Sequence, residues 1–198
     1  FRSDPRIELG KAIGRTEQSG GRLVLLRWRD GRRDRVAIEL PVLGRYSKTA
    51  PFDCRKSEKI LARGCDALAR RLSASPDQGT PIERSYAALA LLAGGDPDHL
   101  PVVREQVTRA AGYTDPERRQ YHSWFYGPQT ILVAEYVIAT GDREVLPDLE
   151  RLALEIARGQ SEVGSWGHRF VQTEGRDAGR LAGYGMMNAP GIPLLIGL

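Results

Sequence analysis

"IARGQSEVGSWGHRF", residues 156–170, sets Gln160, Gly164 and Trp166 at the spacing Q-x-x-x-G-x-W, directly after an amphipathic run. The stretch is either a turn that clips two helices together or the lip of an active site. Its chemistry favours the clip. A glycine permits the sharp turn. A tryptophan covers a large apolar area and has one N–H to satisfy. A glutamine amide suits the orphan carbonyls at a helix C-terminus. The run before it, "VLPDLERLALEIA", lines up Val145, Leu149, Leu152 and Ile156, as an amphipathic helix does.

Working back from there, the helices come in two kinds. "YAALALLA" (86–93) and "TILVAEYVIAT" (130–140) are apolar nearly all round, whereas "LPVVREQVTRAA" and the run ending at Ala157 carry one apolar stripe. A helix apolar on every side is expected to be buried, and one with a single stripe to cover it. Two layers follow, inner and outer. The layers repeat: "LLAGGDPDHLPVV" (91–103) matches "VIATGDREVLPDL" (137–149) at an offset of 46 residues. Each unit reads as inner helix, Gly-Asp turn, and outer helix opened by Pro101 or Pro147. Offsets in this range mean stacked helix pairs. A third inner helix is expected near Asn188, with Asn188 as its cap. "SEKILARGCDALARRL" is a further helix, capped by Ser57, with Ile60, Gly64, Leu68 and Leu72 on one stripe.

The first 47 residues read differently. Asp4 and Pro5 open a helix, and Gly20-Gly21 ends it. In "RLVLLRWRDGRRDRVAIEL", Leu23, Leu25 and Arg27 face one way and Val24, Leu26 and Trp28 the other. Asp30-Gly31 marks a hairpin, and Val36, Ile38 and Leu40 alternate on the return. A hairpin alone is marginal in water, so its partners are expected upstream. Residues 48–56, rich in turn formers around Pro51, are the linker, and 57–198 are the helical part. The chain starts at Phe1 and ends inside the apolar run "GIPLLIGL", so it is expected to be a piece of a longer protein.

Helix, double glycine, "LVLLRWRDG" and "VAIELP" resemble the C-terminal half of a PDZ domain. The Q-x-x-x-G-x-W segment resembles the QW motif of squalene–hopene cyclases. There the tryptophan packs on an outer-helix end and the glutamine hydrogen-bonds neighbouring backbone, joining the helix pairs of an α/α toroid. With "APFDCRKSEKIL", "GSWGH" and "GYGMMNAPG", the chain resembles largely uncharacterised bacterial proteins in which a PDZ domain precedes a squalene-cyclase-like toroid. The resemblance implies a mainly α fold, with a partial toroid after a PDZ-like piece. It implies peptide or protein binding through the PDZ-like part, an apolar or glycan ligand in the toroid, and export to the periplasm or beyond. Without it the cytoplasm is the default compartment.

The reactive motifs of that fold class are missing from the sequence. No D-x-D-D run occurs; "DPD" at 96–98 belongs to the repeat's turn, and its counterpart is "DRE". No thioester sequence is present. Cys54 and Cys65 come before the repeats without zinc-ligand spacing and read as two buried thiols, or as one structural bridge if the protein is exported. "GYGMMN" lacks the pattern of a nucleotide loop. No cofactor and no metal are expected, and the chain leans away from enzymes. The weak catalytic candidates are His168 with Glu174 or Asp177, as general acid and base. The binding candidates are Trp124, Tyr126, Trp166, Tyr184 and Asn188. "YHSWFYG" (121–127) is read as packing at an inner helix's entry, or as lining an apolar or carbohydrate-binding cavity.

Net charge is +4, unevenly spread: residues 1–72 hold 18 Lys/Arg against 9 Asp/Glu, and the rest hold 11 against 16. The cations do not interleave with aromatics, so a solvated surface is expected and nucleic acid is not. No run of about 18 to 20 apolar residues is available to span a bilayer. The expected function is a non-catalytic binding or scaffold module. The alternative is a toroid enzyme acting on a lipid, isoprenoid or glycan.

Overall fold

A computed structural model describes residues 4–115, 121–176, 178–181 and 185–198. The chain is mainly helical with one small antiparallel hairpin. It divides into two compact units, Phe1–Gly64 and Cys65–Leu198.

In the first unit, α1 spans Pro5–Gln18. Asp4 Oδ1 accepts from Arg6 N–H at 2.9 Å and caps it, as Asp-Pro predicts. Strands β1 (Arg22–Arg29) and β2 (Arg32–Glu39) pair in register Leu23↔Ile38, Leu25↔Val36 and Arg29↔Arg32. The two-residue turn puts Asp30 at φ 51° and Gly31 at φ 74°, the backbone a type I′ hairpin requires. The two faces differ as the alternation predicts. Leu23 is buried and Leu25 half-buried, whereas Val24, Leu26 and Trp28 are exposed, Trp28 to 65%.

Helix α2 spans Arg55–Ala74. Ser57 is therefore not its cap, as the sequence suggested, but part of its first turn. Cys54 precedes the helix, and its carbonyl accepts from Glu58 N–H at 3.0 Å. The Cys54 thiol is 1% exposed, and burial alone would push it up. Instead it is pulled down to about 6 by the Ser57 hydroxyl and then by the N–H groups of Ser47 and Ser57. A pKa lowered on folding adds stability above the unfolded thiol's value of 9.0, and that stability is lost as pH falls through 6. In a Cys65→Ser background, thiolate absorbance is expected to titrate near pH 6. Cys54→Ala should flatten the rise in stability between pH 6 and 9.

The second unit holds the remaining helices. These are α3 (Pro81–Gly94), α4 (Leu100–Ala111), α5 (His122–Thr140), α6 (Leu146–Arg158) and α7 (Asn188–Ile196). A capping box opens α3: Thr80 Oγ1 accepts from Glu83 N–H, and Glu83 Oε2 from Thr80 N–H. The repeat is structural. Gly95 (φ 70°) ends α3 and Gly141 (φ 72°) ends α5, both left-handed. Asp96 accepts from Asp98 N–H and Asp142 from Glu144 N–H, each at 3.0 Å. Pro101 and Pro147 lie in the first turns of α4 and α6.

Helix α5 packs against α3, α4, α6 and α7, and α4 also meets α3 and α6. Thus α3, α5 and α7 form one row and α4 and α6 the other. Leu91, Val103, Val107, Leu132, Val133, Leu152, Ile156 and Leu194 fill the space between them. Arg104 ties the second turn to the first outer helix, reaching Glu144 at 2.5 Å, and Arg151 donates to the Ala111 carbonyl.

Two expectations are corrected here. The all-apolar helices are not buried on every side: Tyr86 on α3 is 49% and Ile138 on α5 77% exposed. Each inner helix has neighbours on only part of its circumference. Asn188 is the first residue of α7 rather than its cap. Met187 holds the cap position with extended backbone and no side-chain bond.

Candidate functional site

The candidate residues that come together do so where the start of α5 meets the chain after α6. Gly159 ends α6, and a Cβ there would stand 2.3 Å from the Phe170 ring. Glycine is thus required by close approach. Val171 N–H bonds to the Gly159 carbonyl at 3.1 Å, so the chain doubles back over the end of the helix. Gly164 takes φ 75°, the sharp turn its place in Q-x-x-x-G-x-W suggested.

Trp166 is 4% exposed, and its Nε1–H donates to the Ile156 carbonyl at 2.9 Å. That carbonyl lies in the last turn of α6, where Gly159 N–H also bonds it at 3.2 Å. The Trp166 carbonyl accepts from Met187 N–H at 3.0 Å, one residue before α7. A Cβ on Gly191 of α7 would touch the indole at 4.0 Å. The tryptophan therefore joins the C-terminus of α6 to the N-terminal part of α7. Gln160 plays less of a part than the motif implies. Its side chain makes no hydrogen bond among the described residues, and Ser161 does the local bonding instead, its Oγ accepting from Ser165 N–H at 3.2 Å.

At the other side of the junction, Trp124 Nε1–H donates to His168 Nδ1 at 2.9 Å, the two rings nearly parallel at 15°. Nδ1 accepts, so the imidazole proton sits on Nε2. Tyr121 meets the imidazole edge-on, with centroids 4.7 Å apart. Ser123, fully buried, donates to the Gly167 carbonyl at 2.7 Å. Tyr126 is buried among Tyr113 (5.3 Å, edge-on) and Phe170 (5.0 Å, tilted). These are the offset geometries aromatic quadrupoles favour. Burial is the main cause that pushes the Tyr126 phenol up, so it stays protonated.

Of the catalytic candidates, Glu174 is exposed and makes no hydrogen bond or ion pair among the described residues, so it does not pair with His168. Asp177 and Tyr184 lie outside the described residues. Asn188 is exposed. Among the described residues no cluster of three His, Cys, Asp or Glu side chains is placed to hold a metal ion. Among them also, no helix is long and apolar enough to cross a membrane. The junction brings together rings and backbone bonds.

Sequence reasoning missed Tyr113, Ser123, Phe170 and two glycines. A signal existed for one of these. Gly127 lies in "FYGPQT", inside a helix and next to Pro128, where glycine marks a close approach. A Cβ there would come within 2.7 Å of Pro193 Cβ on α7.

In comparisons with known proteins, a family model described as a domain of unknown function, DUF6288, matches residues 57–198. No curated protein and no solved structure matches the chain.

Proposed function

The chain belongs to the DUF6288 family, and from that premise we propose that it is a non-catalytic scaffold or binding module. In this reading residues 57–198 are part of an α/α toroid of the squalene-cyclase kind, and residues 1–47 are the closing part of a PDZ-like domain that takes a protein or peptide. One observation carries the non-catalytic part. The side chains best suited to a site are engaged in packing: Trp166 bonds Ile156, Trp124 bonds His168, and Tyr126 is enclosed by rings. The toroid part is supported by the two rows of helices, the 46-residue echo and the tryptophan between α6 and α7.

A specific observation favours an apolar ligand as what such a module would hold. The inner-row helices leave Tyr86, Ile138, Ile192 and Leu195 exposed, apolar side chains that such a ligand would cover.

Incubation of the protein with squalene, an isoprenoid diphosphate and a mixed set of oligosaccharides is expected to return each unchanged. Conversion of any of them that disappears in a folded His168→Ala variant would overturn the non-catalytic reading.

A further inference from the structure

The first unit contains a cavity to which the proposed function assigns no ligand. Its volume is about 500 Å³, and its walls come from three stretches: the end of α1 with Glu17 and Gln18, the segment after β2 with Val42, Arg45 and Tyr46, and Lys56 in the first turn of α2.

An ion pair is part of that lining. Lys56 Nζ donates to the Glu17 carboxylate, and the two side chains are only 8% and 9% exposed. Charges taken that far out of water persist only with further partners. Glu17 has one in Leu43 N–H at 3.4 Å, and the Lys56 bond, its main influence, holds its carboxyl below the usual range. Lys56 has another in the Tyr46 ring, whose centre lies 4.5 Å from the ammonium. An ammonium carries three N–H donors, so the bond to Glu17 leaves Lys56 with donors unspent.

Arg45 is exposed and has no hydrogen bond or ion pair among the described residues. Lys56 and Glu17 cancel, so Arg45 leaves the cavity one positive charge in surplus. A monoanion matches that surplus and a dianion exceeds it. Val42 and Tyr46 are exposed apolar surface in the same lining. Pockets that bind small molecules combine such a wall with a few placed polar groups.

We infer that this cavity binds a small organic monoanion, an aromatic or aliphatic carboxylate or sulfonate. Its acid group bonds Arg45 and the spare donors of Lys56, and its body lies on Tyr46 and Val42.

The test is a titration of the full chain, ¹⁵N-labelled, with benzoate, benzenesulfonate and inorganic phosphate. Saturable shifts of the Gln18, Arg45 and Tyr46 amide signals with either organic acid are expected, and phosphate should bind at least tenfold more weakly. Arg45→Gln, at an exposed position, should keep the fold and weaken the organic acid at least tenfold. Lys56 is left in place, because its removal would strand the buried Glu17 carboxylate. No shifts at these residues, unchanged binding by Arg45→Gln, or phosphate binding as tightly as benzoate would each overturn the inference.

Discussion

Trp166→Ala is expected to destabilise the second unit by about 3–5 kcal/mol, the range for emptying a buried aromatic site. The indole is enclosed where α6 ends and α7 begins, and it is held at both places. At this size each kcal/mol shifts the midpoint by roughly 2–4 °C, so the thermal transition should fall by roughly 10 °C. Trp166→Phe separates the two contributions. It keeps most of the apolar area and loses the N–H. The Ile156 carbonyl still receives Gly159 N–H at 3.2 Å, so it is not orphaned, and the loss should be only about 1 kcal/mol. Chemical denaturation of both variants checks the order. A Phe variant as damaged as the Ala variant would show that the hydrogen bond, not the covered area, dominates.

Gly127→Ala is the second large effect. The added Cβ would stand 2.7 Å from Pro193 Cβ, 2.8 Å from the Pro193 carbonyl carbon and 2.9 Å from Leu194 N. Two of these are backbone atoms of α7, which cannot swing aside as a side-chain tip does. Helix α5 and α7 must move apart, at a cost of about 3 kcal/mol, the upper end of the usual range for overpacking. Alanine's better helix propensity recovers only about 1 kcal/mol of this. Gly64→Ala supplies the contrast. Gly64 lies inside α2 with nothing within 4 Å of its would-be Cβ, so the same substitution should stabilise by up to about 1 kcal/mol. Opposite signs in urea unfolding are the expected result.

These variants also mark how far the sequence could be read. The hairpin was legible because Asp30-Gly31 imposes its own backbone geometry whatever surrounds it. The helix pairs were legible for the same reason. Gly95 and Gly141 each end a helix by their own left-handed conformation, and the Asp after each bonds its own neighbouring backbone. Trp166 was legible through its spacing from the end of α6.

Gly127, Gly159, Tyr113 and Phe170 were not legible as partners, because their contacts join residues distant in the chain. No local periodicity records that Gly127 lies against Pro193. Nor does it record that Phe170 covers both Gly159 and Tyr126. Ser57 and Asn188 were misplaced, by three residues and by one, for a smaller reason. Capping residues are common near helix starts, but Cys54 and Met187 already hold those positions. The exposure of Tyr86 and Ile138 shows a further limit: an apolar helix surface does not say which neighbour covers it.

The direct measurement is hydrogen exchange of the Trp166 indole N–H, followed by NMR in a Trp28→Phe, Trp124→Phe background so that one indole signal remains. With the ring buried and its proton held by Ile156, exchange should be slowed by several orders of magnitude, and contacts to α6 and α7 should be seen together. An indole proton that exchanges as fast as a free one, with no contact to either helix, would contradict the stacking of helix pairs through Trp166.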